Sequence, residues 1–197
     1  EDRLTLQVKQ GRAIFGIDMK IVDPDGKELP WDGAASGELL VRGPWVLDSY
    51  FNREGNDPIH YDAAGNGWFP TGDVSTIDPD GFMQITDRTK DVIRSGGEWI
   101  SSIDIENIAM GHPSIAMAAC IAAHHPKWDE RPLLIVTLKP GAEATKDSIL
   151  AYFDGKIAKW WLPDDIVFVE AIPLGATGKM QKNKLREEFK DYQLPTA

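Results

Sequence analysis

The tetrapeptide Asp-Pro-Asp-Gly occurs twice, at 23–26 and at 78–81. The first copy follows the alternating run Ile17–Val22, and the second separates Val74–Ile77 from Phe82–Thr86. Proline presets φ, the aspartates bond to nearby backbone, and glycine accepts a positive φ, so each copy reads as a hairpin turn. Gly37-Glu38-Leu39-Leu40-Val41-Arg42-Gly43 adds a short strand bounded by glycine. The first part of the chain is therefore expected to be antiparallel β structure. A calcium loop is excluded, because neither copy has alternating oxygen ligands or a late glutamate.

From about Ser101 the pattern changes. Ser101 and Asp104 have capping-box spacing for a helix running through Met110. Ile115–Ala123 and Leu133–Leu138 read as buried strands, and Ile166–Ile172 as another. Lys146–Trp161 reads as an amphipathic helix with Ile149, Tyr152, Phe153, Ile157, Trp160 and Trp161 on one stripe, weakened by Gly155. Lys182–Tyr192 reads as a final charged helix. Strands followed by a mixed segment predict an α+β chain of two units, residues 1–87 and 92–197, joined through 88–91. No low-complexity linker separates them, so the join must be a tight hinge.

The composition is globular, with 42% hydrophobic and 26% charged residues. A net charge of -10 argues against nucleic-acid or anionic-membrane partners, which need a basic face. No apolar run approaches the ~18 residues of a membrane span. The lone cysteine, Cys120, sits in an apolar run and cannot form an internal disulfide, so a reducing, cytoplasmic setting is expected. The sequence starts at Glu1 without an initiator methionine, as a piece of a longer or processed protein would.

A few residues carry chemistry. Asp73, after Thr71-Gly72, can accept hydrogen bonds from a diol such as the ribose hydroxyls, or simply close its own turn. Arg88 can reach the same ribose, or pair with Asp87 or Asp91. Lys90 and Asp91 lie at the inferred join. Gly96-Gly97 suits a hairpin turn, or a smooth wall along which a thin ligand passes. Lys179 ends a glycine-bounded loop that is not a Walker A motif, because Pro173 and Met180 replace its first glycine and its Ser/Thr. It is either a mobile cation for a phosphate or a solvated lysine before a helix. His60, His112 and the adjacent His124-His125 suggest no metal site.

The order of these pieces resembles the C-terminal part of the adenylate-forming superfamily: acyl-CoA synthetases, adenylation domains of peptide synthetases, and firefly-type luciferases. Trp68-Phe69-Pro70-Thr71-Gly72-Asp73 resembles that family's Tyr-x-x-Thr-Gly-Asp motif, Asp87–Gly97 its hinge motif, and Pro173–Lys179, continuing to Lys182 and Leu185-Arg186, its last motif. The resemblance implies that Asp73 and Arg88 bind ribose, that Lys90 and Asp91 form the pivot, and that Lys179 serves adenylation. It implies that Arg94, Gly96, Gly97, Glu98 and Trp99 face a coenzyme A tunnel. The implied co-substrates are ATP and coenzyme A, with Mg2+ held mainly by a preceding N-terminal domain, and the implied substrate is a carboxylic acid. Residues 1–87 would be the distal β-barrel subdomain of the large domain, and 92–197 a mobile C-terminal lid. Ser95–Ser102 and His125–Pro132 resemble bacterial medium- and long-chain fatty acyl-CoA ligases and the related methylthio-propionate ligases. The pyrophosphate loop and acyl pocket are absent from this sequence, so catalysis by the fragment alone is not expected. The rival expectation is a non-catalytic module that binds a nucleotide or a partner.

Overall fold

A computed structural model describes residues 6–51 and 58–197. The first residues of the expected first domain, 1–5, and residues 52–57 lie outside that description. The chain divides into two compact units, Glu1–Lys90 and Asp91–Ala197.

The first unit holds β1 (Asp18–Val22), β2 (Ser36–Arg42), β3 (His60–Tyr61), β4 (Gly67–Ile77) and β5 (Met83–Arg88). They form one antiparallel sheet in the order β1-β2-β4-β3, with β5 also on β4. β2 and β5 share partners along Val74–Thr76 and so occupy opposite edges of β4. Both Asp-Pro-Asp-Gly segments are tight turns: Gly26 N–H donates to Asp23 O at 2.9 Å and Gly81 N–H to Asp78 O at 2.8 Å. Each glycine has φ +81, a region closed to most side chains. Successive strand residues face opposite ways. Ile21 and Leu39 accordingly join Ile77 in one buried cluster, while Val22 and Leu40 join Trp68 in another.

The second unit holds β6 (Ile93–Ser95), β7 (Glu98–Ile100), α1 (Ser102–Met110), β8 (Ile115–His125), β9 (Asp129–Leu138), α2 (Lys146–Tyr152), a 3-10 turn (Lys159–Trp161), β10 (Asp165–Phe168) and α3 (Lys182–Glu188). Its sheet runs β10-β9-β6-β7, with β8 on β9. The pairing is antiparallel except between β9 and β10. Both faces are covered, which explains why β8 and β9 read as unbroken apolar runs. Ala118, Cys120, Leu134 and Val136 pack with Ile105 of α1 and Ile149 and Phe153 at α2. Their neighbours Ala119, Ile121, Leu133 and Ile135 pack with Ile172, Leu185 of α3 and Leu194.

Three elements are shorter than their sequence pattern suggests. The helix expected over 146–161 ends at Tyr152, because Gly155 takes φ +70 and turns the chain out of the helix. Its apolar stripe still serves the core: Ile149 and Phe153 are fully buried. Trp161 packs on that core, while the edge-on Trp160 stays half exposed. The strand expected over 166–172 ends at Phe168, and the last helix stops at Glu188 rather than Tyr192. Ser101 caps α1 as its spacing suggests, its Oγ accepting from Asp104 N–H at 3.1 Å.

Candidate functional site

In the first unit, Asp73 and Arg88 are direct cross-strand partners on β4 and β5. Arg88 Nε meets Asp73 Oδ1 at 3.0 Å, with the arginine side chain 58% and the carboxylate 18% exposed. The local sequence sets this up. Thr71 Oγ1 donates to Leu39 O and accepts from Asp73 N–H, while Gly72 adopts φ +76 and accepts from Thr89 N–H through its carbonyl. A Cβ at Gly72 would meet nothing within 4 Å, so the backbone beside the carboxylate is open. Arg88 pairs with Asp73 rather than with Asp87 or Asp91, the partners sequence proximity suggested. Asp87 is buried and accepts from Arg88 N–H at 2.7 Å.

In the second unit, Gly96 and Gly97 are the two central residues of the hairpin joining β6 to β7, with φ +60 and +88. Two consecutive positive φ values define the hairpin turn that matches strand twist, and only glycine adopts both without strain. Nothing lies within 4 Å of a Cβ at Gly97, whereas one at Gly96 would sit 3.0 Å from the Trp128 indole. Gly96 N–H also donates to Trp128 O at 2.9 Å. Arg94 and Trp99 face each other across the hairpin, as do Ser95 and Glu98. Arg94 and Glu98 are exposed, and Trp99 is half-buried.

Lys179 lies on a small closed loop. Leu174 and Met180 form a bridge, Gly175 N–H donates to Lys179 O at 2.8 Å, and Gly178 has φ +77 and donates to Gly175 O at 2.9 Å. The loop backbone is therefore held while the Lys179 side chain is exposed. Among the described residues its ammonium has no hydrogen-bond or ion-pair partner. The loop leads into α3, and Gln181 N–H donates to Pro173 O at 2.8 Å across its base.

Two cations of α3, one helical turn apart, tie that helix into the second unit. Lys182 Nζ meets Glu106 Oε1 at 2.6 Å and donates to Ser102 Oγ at 2.8 Å. The same Glu106 oxygen accepts from Cys120 N–H at 2.7 Å. Arg186 Nη1 meets Asp91 Oδ1 at 2.6 Å. Sequence reading placed Arg186 in a motif without finding its partner, which lies 95 positions away. Lys90, the other expected pivot residue, is exposed at the end of the first unit.

The histidines serve structure where they are buried. His125 Nδ1 accepts from Lys127 and Trp128 N–H and its Nε2 donates to Thr196 O, while His112 stacks edge-on against Tyr152. Among the described residues no three His, Cys, Asp or Glu side chains converge on a metal position. No helix among them is long and apolar enough to cross a membrane.

Residues 104–179 match the family described as the AMP-binding enzyme C-terminal domain. The chain is 56% identical over 191 residues to a 3-methylmercaptopropionyl-CoA ligase of Ruegeria lacuscaerulensis, covering 97% of this chain and 34% of the relative. It is 48% identical to a medium-chain-fatty-acid–CoA ligase of Ectopseudomonas oleovorans, covering 100% of this chain and 35% of the relative. The fold matches ATP-bound MatB of Rhodopseudomonas palustris with a TM-score of 0.79 at 31% identity, over 93% of this chain and 36% of that one. The chain thus spans about a third of the length of the relatives it matches. Motif order, two-unit architecture and these similarities together show that the chain carries the AMP-binding enzyme C-terminal domain of the adenylate-forming superfamily.

Proposed function

We propose that this chain is the C-terminal portion of a cytoplasmic, ATP-dependent acyl-CoA ligase acting on a fatty or related carboxylic acid, and that it is inactive without the preceding domain. The observation that carries this is the Asp73–Arg88 pair beside the open backbone of Gly72. The Asp73 carboxylate uses one oxygen for the guanidinium and has acceptor capacity left for a vicinal diol, and Arg88 adds donors.

The reaction has two steps. A substrate carboxylate oxygen attacks the α-phosphorus of ATP, forming acyl-adenylate and expelling pyrophosphate. The coenzyme A thiol, losing its proton, then attacks the acyl carbon through sulfur, forming the thioester and expelling AMP. Lys179, an exposed cation on a braced loop, offsets the charge that develops in the first step. Rotation at Lys90–Asp91 then withdraws Lys179 and brings the Gly96-Gly97 turn to the site, where the absence of side chains leaves room for a narrow thiol-bearing arm. Arg94, Glu98 and Trp99 are carried on the same hairpin. Mg2+, held mainly by the preceding domain, would neutralise phosphate charge. The names of the relatives support a medium-chain or sulfur-bearing acid as substrate.

The test uses the full-length ligase. Lys179→Ala should lower ATP–pyrophosphate exchange at least about 100-fold while leaving thioester formation from supplied acyl-adenylate intact. Gly97→Leu should do the reverse. Loss of the same half-reaction in both variants would exclude a domain that presents two faces in turn.

A further inference from the structure

The Asp91–Arg186 ion pair constrains which bonds can turn at the pivot. Asp91 is the first residue of the second unit, its side chain is 13% exposed, and its carboxylate is held at 2.6 Å by Arg186 of α3. The next residues, Val92 and Ile93, are buried in the same unit. Rotation about the Cα–C bond of Asp91 would carry Val92 and all that follows away from the Asp91 side chain. Arg186 belongs to the part carried away, so that rotation breaks the pair. Rotation about the Lys90 bonds, or about the N–Cα bond of Asp91, moves the carboxylate together with Arg186 and keeps the pair intact. Lys90 is exposed, and among the described residues its side chain has no hydrogen-bond or ion-pair partner.

We propose that Arg186 is a positioning residue that clamps Asp91 to α3 and confines the swivel to the bonds on the Lys90 side. It rests on the two-step reading above. The clamp has a second consequence, because the loop bearing Lys179 runs directly into α3. Lys182 on the same helix is locked to Glu106 of α1. The pivot and the Lys179 loop are thereby joined through one braced helix, so a given rotation at Lys90 delivers Lys179 to one place rather than to a spread of places. Positioning errors of this kind lower the rate of reaction without weakening substrate binding.

The test compares Arg186→Ala, Arg186→Lys, Asp91→Asn and the double variant Asp91→Asn/Arg186→Ala in the full-length ligase. Each half-reaction is followed separately, with ATP, acid and supplied acyl-adenylate as probes. Arg186→Ala and Asp91→Asn should each lower kcat of both half-reactions by about tenfold, with KM for ATP and coenzyme A changed less than about twofold. The double variant should be no slower than either single one, and Arg186→Lys should recover most of the loss. Additive losses, or an Arg186→Ala enzyme with kcat unchanged in both steps, would overturn the clamp. Losses that track thermal unfolding and vanish on cooling would overturn it equally. If Arg186→Ala does not fold, Arg186→Lys with Asp91→Asn decides the matter by the same kcat-against-KM criterion. Lys179→Ala is assayed alongside: if it retains adenylation, the underlying two-step reading fails, whereas its loss with normal Arg186 variants rejects only the clamp.

Discussion

Glu106 and Lys182 stand 2.6 Å apart with each side chain about nine-tenths buried, joining α1 to the start of α3. Removing one member of a buried pair leaves an uncompensated charge, which costs about 3 kcal/mol or more. Lys182→Met should destabilise the second unit by that amount. Glu106→Met should do at least as much, because Cys120 N–H also loses its acceptor. Urea titration with pulse labelling of Cys120, the sole cysteine and fully buried, measures the change. The double variant should lose less than the sum of the two.

Lys179 separates chemistry from stability. Its side chain is exposed on a loop held by its own backbone bonds. Lys179→Ala should shift the stability of this chain by less than about 0.5 kcal/mol. A larger shift in the same urea experiment would mean that the side chain has a structural partner.

Gly155 ends α2 at a φ of +70, with open space where a Cβ would project. Gly155→Ala raises helix propensity yet forces alanine into the left-handed region. It should therefore destabilise the chain by about 1 kcal/mol rather than extend the helix. Far-ultraviolet circular dichroism together with the unfolding midpoint tests both halves of this expectation.

Tyr192 donates to Asp165, whose carboxylate is also held by Lys146. Burial first, and the hydrogen bond to Asp165 second, push the Tyr192 phenol up to about 12. Burial of Asp165 opposes its ionisation, but the bonds from Lys146 and Tyr192 outweigh it and hold the carboxyl below its usual range. The signs follow by linkage. The Tyr192 contribution is complete below pH 10 and is lost as pH rises from 10 towards about 12. The Asp165 contribution is present above the ordinary carboxyl value of 3.8 and is lost as pH falls below it. Asp165→Asn should lower the Tyr192 titration point towards 10 in an ultraviolet pH titration and flatten the acid limb of stability.

Local chemistry made much of this protein legible. The two Asp-Pro-Asp-Gly turns, the Gly96-Gly97 hairpin and the Ser101 cap depend on residues within a few positions of one another, so their sequence patterns sufficed. Unbroken apolar runs marked β8 and β9, which are buried on both faces, and helical periodicity marked the Ile149–Phe153 stripe. It overran the end of α2, where a pattern compatible with a helix continued past a glycine that turned the backbone. The motif order carried the family resemblance.

Pairing across the fold belonged to the tertiary structure alone. Arg88 had acidic neighbours on either side in sequence, yet β4–β5 register gave it Asp73. Asp91 and Arg186, 95 positions apart, and Glu106 and Lys182, on different helices, meet only because the sheet of the second unit brings α1, α3 and the chain entry together. A charged residue in a sequence presents the same side chain to many possible partners. Which one it keeps is decided by strand register and helix packing, where the alternative is a charge left buried without compensation.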